Sequence, residues 1–293
     1  MPSGNAMVMR GSDQDRMSLA SRYPRRRPVG RGRPNWLDAH GRLVYGLIGV
    51  VGFVVLWEVG SGAGFINKFF FSSPTAIVAA GIREVQVPRF WVDVRASVTE
   101  FLAGYLLAIV LAVPLGLLAG WYRRLQYALD PWLNFFNALP RIALLPVLLI
   151  AFGLGLASKI MVAFLGAFFA IIIPTIQGVR TVDRRLLDVA TSFRASRWRV
   201  FRTVVAPATV PFIVSGLRLG IARALIGVVT GELYAATNGL GVMIKFASDA
   251  LQTDRLLFGV LLFTATGLIG VEALRRLETY FQRWRPVRSG TAQ

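Results

Sequence analysis

Six runs of mainly apolar residues, each near the length that crosses a bilayer, leave this chain few folds to choose from. They cover roughly 43–60, 96–121, 131–153, 159–179, 208–233 and 256–274. Inside hydrocarbon no water can satisfy a peptide N–H or C=O. A run of about 20 apolar residues therefore closes its hydrogen bonds within itself, as a helix. The expected fold class is all-α, a polytopic membrane protein of about six transmembrane helices in contact with the lipid bilayer. Apolar residues make up 55% of the 293, and the mean hydropathy is +0.56, both too high for an ordinary soluble domain. Some runs contain breakers: Pro114, Pro140, Pro146, Pro174, Gly216 and Gly220. These are tolerated at depth where neighbouring helices or a lined cavity satisfy the freed backbone groups.

The formal net charge of +18 suggests a nucleic-acid ligand at first, but its distribution argues against that class. Nine arginines fall within residues 1–42, seven within 180–207 and five within 275–288, and with Arg123 and Arg124 these are 23 of the 33 basic residues. With six spans, all four stretches lie on one side. The positive-inside rule makes that side the cytoplasm and places both termini there, as expected of a multi-pass protein of a bacterial inner membrane. Segments 61–95 and 234–255 fall on the opposite side and are close to charge-balanced. The basic tail over 1–42 is expected to lie disordered on the anionic membrane surface. A first transmembrane helix and an external segment follow over 43–95, where Pro74 opens a possible short helix to Val85. A core over 96–275 and a cytoplasmic tail over 276–293 complete the division. A signal peptide is the rival for the first run, but both its basic lead and its apolar stretch are too long.

The chain lacks the residues that most enzyme chemistry needs. Its single histidine, His40, sits in the basic tail, and there is no cysteine. No disulfide, thiol chemistry, zinc site or histidine-dependent nucleophile is therefore expected. The three lysines, Lys68, Lys159 and Lys245, never follow a glycine, so the phosphate-cradling G-x-x-x-x-G-K-[ST] loop is absent. No catalytic residue, cofactor or metal is expected, and any ATP used must be bound by another polypeptide.

One stretch is too charged for hydrocarbon. Between Arg180 and Pro207 seven arginines stand against Asp183 and Asp188, while apolar residues recur at helical spacing. It is expected to be a cytoplasmic loop that folds into short helices. By itself such a loop reads as an amphipathic helix in the headgroup layer. Its residues, however, resemble a known pattern: Asp188-Val189-Ala190, then Arg194-Ala195-Ser196-Arg197-Trp198, then Val204-Val205-Ala206-Pro207. This is similar to the coupling loop of the permease subunits of ATP-binding-cassette importers. The resemblance runs from about residue 96 to 284 and is to permeases of the alkanesulfonate, taurine and nitrate type. Val113-Pro114-Leu115-Gly116, Asp130-Pro131, Leu139-Pro140, Leu145-Pro146 and Phe152-Gly153-Leu154-Gly155 carry it in order. Gly216-Leu217-Arg218, Gly231-Glu232-Leu233 and Asn238-Gly239-Leu240-Gly241 continue it. Two residues depart from the pattern: Arg194 stands where the family usually has glycine, and Ala206 where it usually has leucine. Either Arg194 accepts a left-handed backbone, or the turn is rebuilt with Ser196 capping the next helix.

The resemblance implies a helix–turn–helix that seats in a groove of a separate ATPase subunit, with Asp188, Val189, Ala190, Arg194, Ala195, Ser196, Val204 and Pro207 as coupling residues. It also implies an extracytoplasmic solute-binding protein, a second permease copy, most simply as a homodimer, and a small anion such as a sulfonate, taurine or nitrate as solute. A heterodimer with a related permease remains open. Ionisable residues at bilayer depth are candidates for a translocation path by default. Arg218, Arg223 and Glu232 qualify, whereas Glu58, Glu100 and Glu272 lie close enough to span ends to be expected wet. The rival class is a secondary transporter or channel driven by an ion gradient, which would be expected to show inverted repeats with acidic residues near the midplane.

Overall fold

A computed structural model describes residues 36–235 and 237–282. The ends of the two basic tails, 1–35 and 283–293, lie outside the described residues, and the expected disorder of the first lies there with them. Every regular element among the described residues is helical. The first part of the chain holds α1 (Trp36–Gly62), α2 (Lys68–Phe71), α3 (Pro74–Val85) and α4 (Pro88–Trp121). α5 (Arg123–Ala138), α6 (Leu145–Phe152) and α7 (Leu156–Arg180) come next. α8 (Arg184–Ser192), α9 (Arg197–Val200), α10 (Ala206–Ala235), α11 (Leu240–Asp249) and α12 (Thr253–Gln282) complete the order. A short 3-10 turn, Arg141–Leu144, precedes α6, and a π turn, Phe201–Val205, joins α9 to α10.

Among the described residues, five helical stretches are long and apolar enough to cross a membrane: 44–62, 88–121, 156–180, 197–234 and 253–276. The sixth expected run, 131–153, is instead a bent pair, 123–138 and 142–152, meeting at 93°. Pro140 explains the break. It donates no hydrogen bond and sterically disfavours the α conformation for the residue before it, so Leu139 is extended at φ −66° and ψ 132°. Six spans result only if this pair counts as one. Two boundaries also move. α1 starts at Trp36 and α12 runs to Gln282, so parts of both expected tails are helical. The short helix read from Pro74 to Val85 is α3, with Ser73 as its cap, accepting from the Ala76 N–H at 3.3 Å.

Residues 1–56 and 57–293 form two compact units. Of the first, α1 as far as Leu56 is described. The second is organised around α7, which packs along both α4 and α10. Small residues make these contacts close, since attraction between spans depends on backbone proximity rather than on expelling water. A Cβ at Gly166 of α7 would lie 2.5 Å from the carbonyl oxygen of Arg223 in α10. One at Gly120 of α4 would lie 2.5 Å from the Cβ of Val179 in α7. Ala108, Ala112, Ala163, Ala167, Ile171 and Ala224 fill the space between with no exposure at all.

α4 and α7 run in the same direction and α10 runs against both, which gives this unit two ends. The end near residues 121 and 201 brings the rings of Trp121 and Phe201 to 5.6 Å. At the other end, two reciprocal ion pairs fasten α3 to the start of α12: Arg83 to Asp254 at 2.9 Å and Arg255 to Glu84 at 2.8 Å. Glu58 accepts from the Thr75 N–H at 3.0 Å and from its hydroxyl at 2.7 Å, tying the last turn of α1 to α3.

Candidate functional site

The loop beyond α7 builds the hairpin expected of it, with one difference at its exit. α8 opens at Asp183, whose carboxylate accepts from the Arg185 N–H at 2.9 Å. Leu186, Val189 and Phe193 follow at helical spacing along one face and are 48%, 55% and 83% exposed. Leu187 and Ala190, on the other apolar face, are half-buried. The helix closes with the N–H of Ala195 on the carbonyl of Ala190 at 3.1 Å and that of Arg194 on Thr191 at 2.8 Å. This crossed pair of bonds places the first residue past the helix in a left-handed conformation. Arg194 occupies that position at φ 50°, where a side chain costs about 1 kcal/mol relative to glycine. Ser196 also caps α9, accepting from the Arg199 N–H at 3.3 Å. Both alternatives posed by the sequence are therefore realised together.

The second helix of the hairpin does not stop at Pro207. α9, the π turn and α10 continue as one helix over 197–234. Pro207 has no N–H to give to Thr203, and its ring crowds that turn. The ladder widens just ahead of it, with the Ala206 N–H bonding to Phe201 five residues back. The expectation of a separate short second helix is thus corrected. Asp188, Val189, Arg194, Ser196 and Pro207 are exposed, while Ala190, Ala195 and Val204 are half-buried. All eight lie on this one hairpin and its exit.

Arg218 and Arg223 stand exposed partway along α10. Glu232, the third expected path residue, is set apart from them, about 14 Å along the axis from Arg223 by helical rise. It is 1% exposed and belongs to a buried polar cluster. Asp93, Ser97 and Glu100 of α4, all buried, recur every three or four residues on one face, and Arg89 extends that face while remaining exposed. The Ser97 hydroxyl donates to Glu232 at 2.5 Å and accepts from the Leu240 N–H at 2.9 Å. The Gly241 N–H donates to Glu232 at 2.7 Å, and the Gly239 N–H to Asp93 at 2.9 Å. Three backbone donors at the start of α11 are thus satisfied by side chains from α4 and α10 rather than by a local cap. Gly239 and Gly241 are required by this closeness: Gly239 has φ 133°, and a Cβ on Gly241 would lie 2.7 Å from that of Glu232.

Below this cap, Lys159 of α7 forms an ion pair with Glu100. Glu100 is 0% exposed and Lys159 6% exposed, so the expectation that Glu100 is wet is overturned. Its place at the end of an apolar run proved to be a place between helices. Lys159 escaped sequence reasoning, although it is the one charged residue within the run 156–179. An ammonium in such a run needs a carboxylate from another helix.

Comparison with known proteins gives one consistent result. The profile described as "Binding-protein-dependent transport system inner membrane component" matches residues 112–284. A Bacillus subtilis (strain 168) protein named for aliphatic sulfonates transport, SsuC, is 30% identical over 260 residues, covering 89% of this chain and 92% of that protein. The taurine transport system permease protein TauC of Escherichia coli (strain K12) is 28% identical over 236 residues, covering 79% and 86%. The formylaminopyrimidine transport permease protein ThiX of Halalkalibacterium halodurans is 28% identical over 232 residues, covering 79% and 92%.

Proposed function

The chain belongs to the family of binding-protein-dependent transport system inner membrane components, the permeases of ATP-binding-cassette importers, and from that premise we propose that it forms the translocation path for a small anion of the sulfonate or taurine kind. The observation that carries the reading is the hairpin of α8 and α9. It presents an exposed apolar stripe at one end of the bundle and runs without interruption into a span. A helix face of this kind fits a groove on a partner, and we assign it to the ATPase. Two ATPase chains, closing on ATP, would move two such hairpins and turn the permease between inward-open and outward-open states.

In this reading the chain works as a homodimer with the path on its twofold axis, and the end bearing α8 is cytoplasmic, as are both termini. α3, α11 and the start of α12 face the solute-binding protein. Arg218 and Arg223 are exposed along a span, a position that charges keep when they face water, and their sign suits an anion. Glu232 acts at one remove, holding α11 at the outer end of the path. The names of the relatives favour sulfonates and taurine, although one is named for a pyrimidine.

The test is uptake of labelled taurine and of a short alkanesulfonate by vesicles containing this chain, its ATPase and its binding protein. Uptake is expected with ATP inside. Ala190→Pro is expected to abolish coupled hydrolysis while leaving membrane insertion intact, because proline breaks the last turn of α8. Transport driven by a proton or sodium gradient without ATP would overturn the proposal.

A further inference from the structure

The hairpin carries more positive charge than the described residues neutralise. Arg184, Arg185, Arg194, Arg197, Arg199 and Arg202 are all exposed, and none is ion-paired among the described residues. Some exposed arginines elsewhere find carboxylates, as Arg83 does on Asp254 and Arg275 on Glu272. On the hairpin the acids are few. Asp183 is engaged in capping α8, and Asp188 is the one other acid between 183 and 202. Between the arginines, Leu186, Val189, Phe193 and Trp198 expose a continuing apolar stripe. An apolar ridge edged by uncompensated guanidiniums is complementary to an apolar groove edged by carboxylates.

Arg194 adds an argument of its own. Its backbone is left-handed at φ 50°, at the position after a helix where glycine is least strained. A long cationic side chain here opposes the local backbone preference and forms no ion pair among the described residues. A fixed counter-charge outside the chain accounts for it. A lipid surface does not, since it asks only for charge and the neighbouring arginines supply that.

We propose that Arg194 is a partner-selecting contact, pairing with a carboxylate on the rim of the ATPase groove that receives α8 and favouring that ATPase over others. The inference rests on the ATPase-docking reading above. The pairing would add electrostatic specificity to an apolar fit, which acts most strongly at low salt.

The chain has no cysteine, so Arg194→Cys introduces a unique thiol. In native membranes holding the assembled transporter, the hydrazide of a maleimide–hydrazide linker on that thiol should couple to an aspartate or glutamate of the ATPase once carbodiimide has activated that carboxylate, with the urea as leaving group. Mass spectrometry would locate the linked carboxylate. In parallel, Arg194→Gly relieves the backbone strain, so weaker docking in that variant is not a folding failure. Its retention of the ATPase at low salt is expected to fall about 3- to 10-fold, with the gap closing as salt rises. Arg194→Lys is expected to retain most of the binding.

Unchanged retention in Arg194→Gly at every salt concentration would overturn the proposal. So would a loss of binding confined to phosphatidylglycerol liposomes, which would assign the side chain to lipid. A permease with residues 184–199 scrambled that still holds its ATPase would refute the docking reading itself. Retention lost on scrambling but unaltered in Arg194→Gly would refute only the role of Arg194.

Discussion

Replacing Lys159 by methionine keeps most of the side-chain volume and removes the charge, leaving Glu100 without its counter-ion. Glu100 is 0% exposed, and Lys159 is the cation paired with it. Breaking a buried pair from one side typically costs about 3–5 kcal/mol, since the remaining charge keeps its desolvation penalty without its partner. Against a total stability of about 5–15 kcal/mol, that is a severe loss. The double variant Glu100→Leu/Lys159→Met removes both charges. It should recover to about the wild-type level, because a well-packed apolar pair of similar volume is often neutral or stabilising. Reversible unfolding of the permease in mixed micelles, across wild type, both single variants and the double variant, reads these differences directly. If Lys159→Met cost less than about 1 kcal/mol, or the double variant were as weak as the worse single, the pair would not be the buried, mutually dependent unit described here.

Three other outcomes follow from the same geometry. Ser97→Ala removes one bond to Glu232 and one from Leu240, and should cost about 1–3 kcal/mol with faster amide exchange at the start of α11. Gly239→Ala sets a Cβ against the Glu232 carboxylate at a left-handed φ. It should cost a similar 1–3 kcal/mol, about the price of a strained backbone position, and show the same exchange signature. Arg194→Gly should stabilise the α8–α9 turn by about 1 kcal/mol, measurable as slower exchange of the Ala195 amide; unchanged exchange would deny the strain.

Much of this was legible in the sequence, for reasons that differ by element. The long spans were readable because an unbroken apolar run in a membrane has one stable conformation. α3 was readable because Pro74 both marks and favours a helix start. The bend at Pro140 was not, although the proline was visible. A proline in a span can kink, break or be absorbed, and its neighbours decide which. The buried cluster was half-legible: the spacing of Asp93, Ser97 and Glu100 places three polar side chains on one face of α4. Their partners, Lys159, Glu232 and the N–H groups of 239–241, come from distant parts of the chain. Sequence spacing within one helix carries no information about such pairings. For Arg194 the sequence posed two alternatives as exclusive; a crossed-bond helix end followed at once by a serine cap accommodates both.

The π turn at Phe201–Val205 sets the angular phase between the hairpin and the span. Each residue of an α-helix turns its successors by about 100°, and the wider turn inserts that step without interrupting the rod. Deleting one residue there would take that step out again. It would rotate Trp198 and the whole of α8 by about 100° around the axis relative to Arg218 and Arg223. The direction in which this chain offers its apolar ridge is thus written in a single surplus residue beside Pro207, and a hairpin grafted from a relative would keep its aim only if that surplus were carried with it.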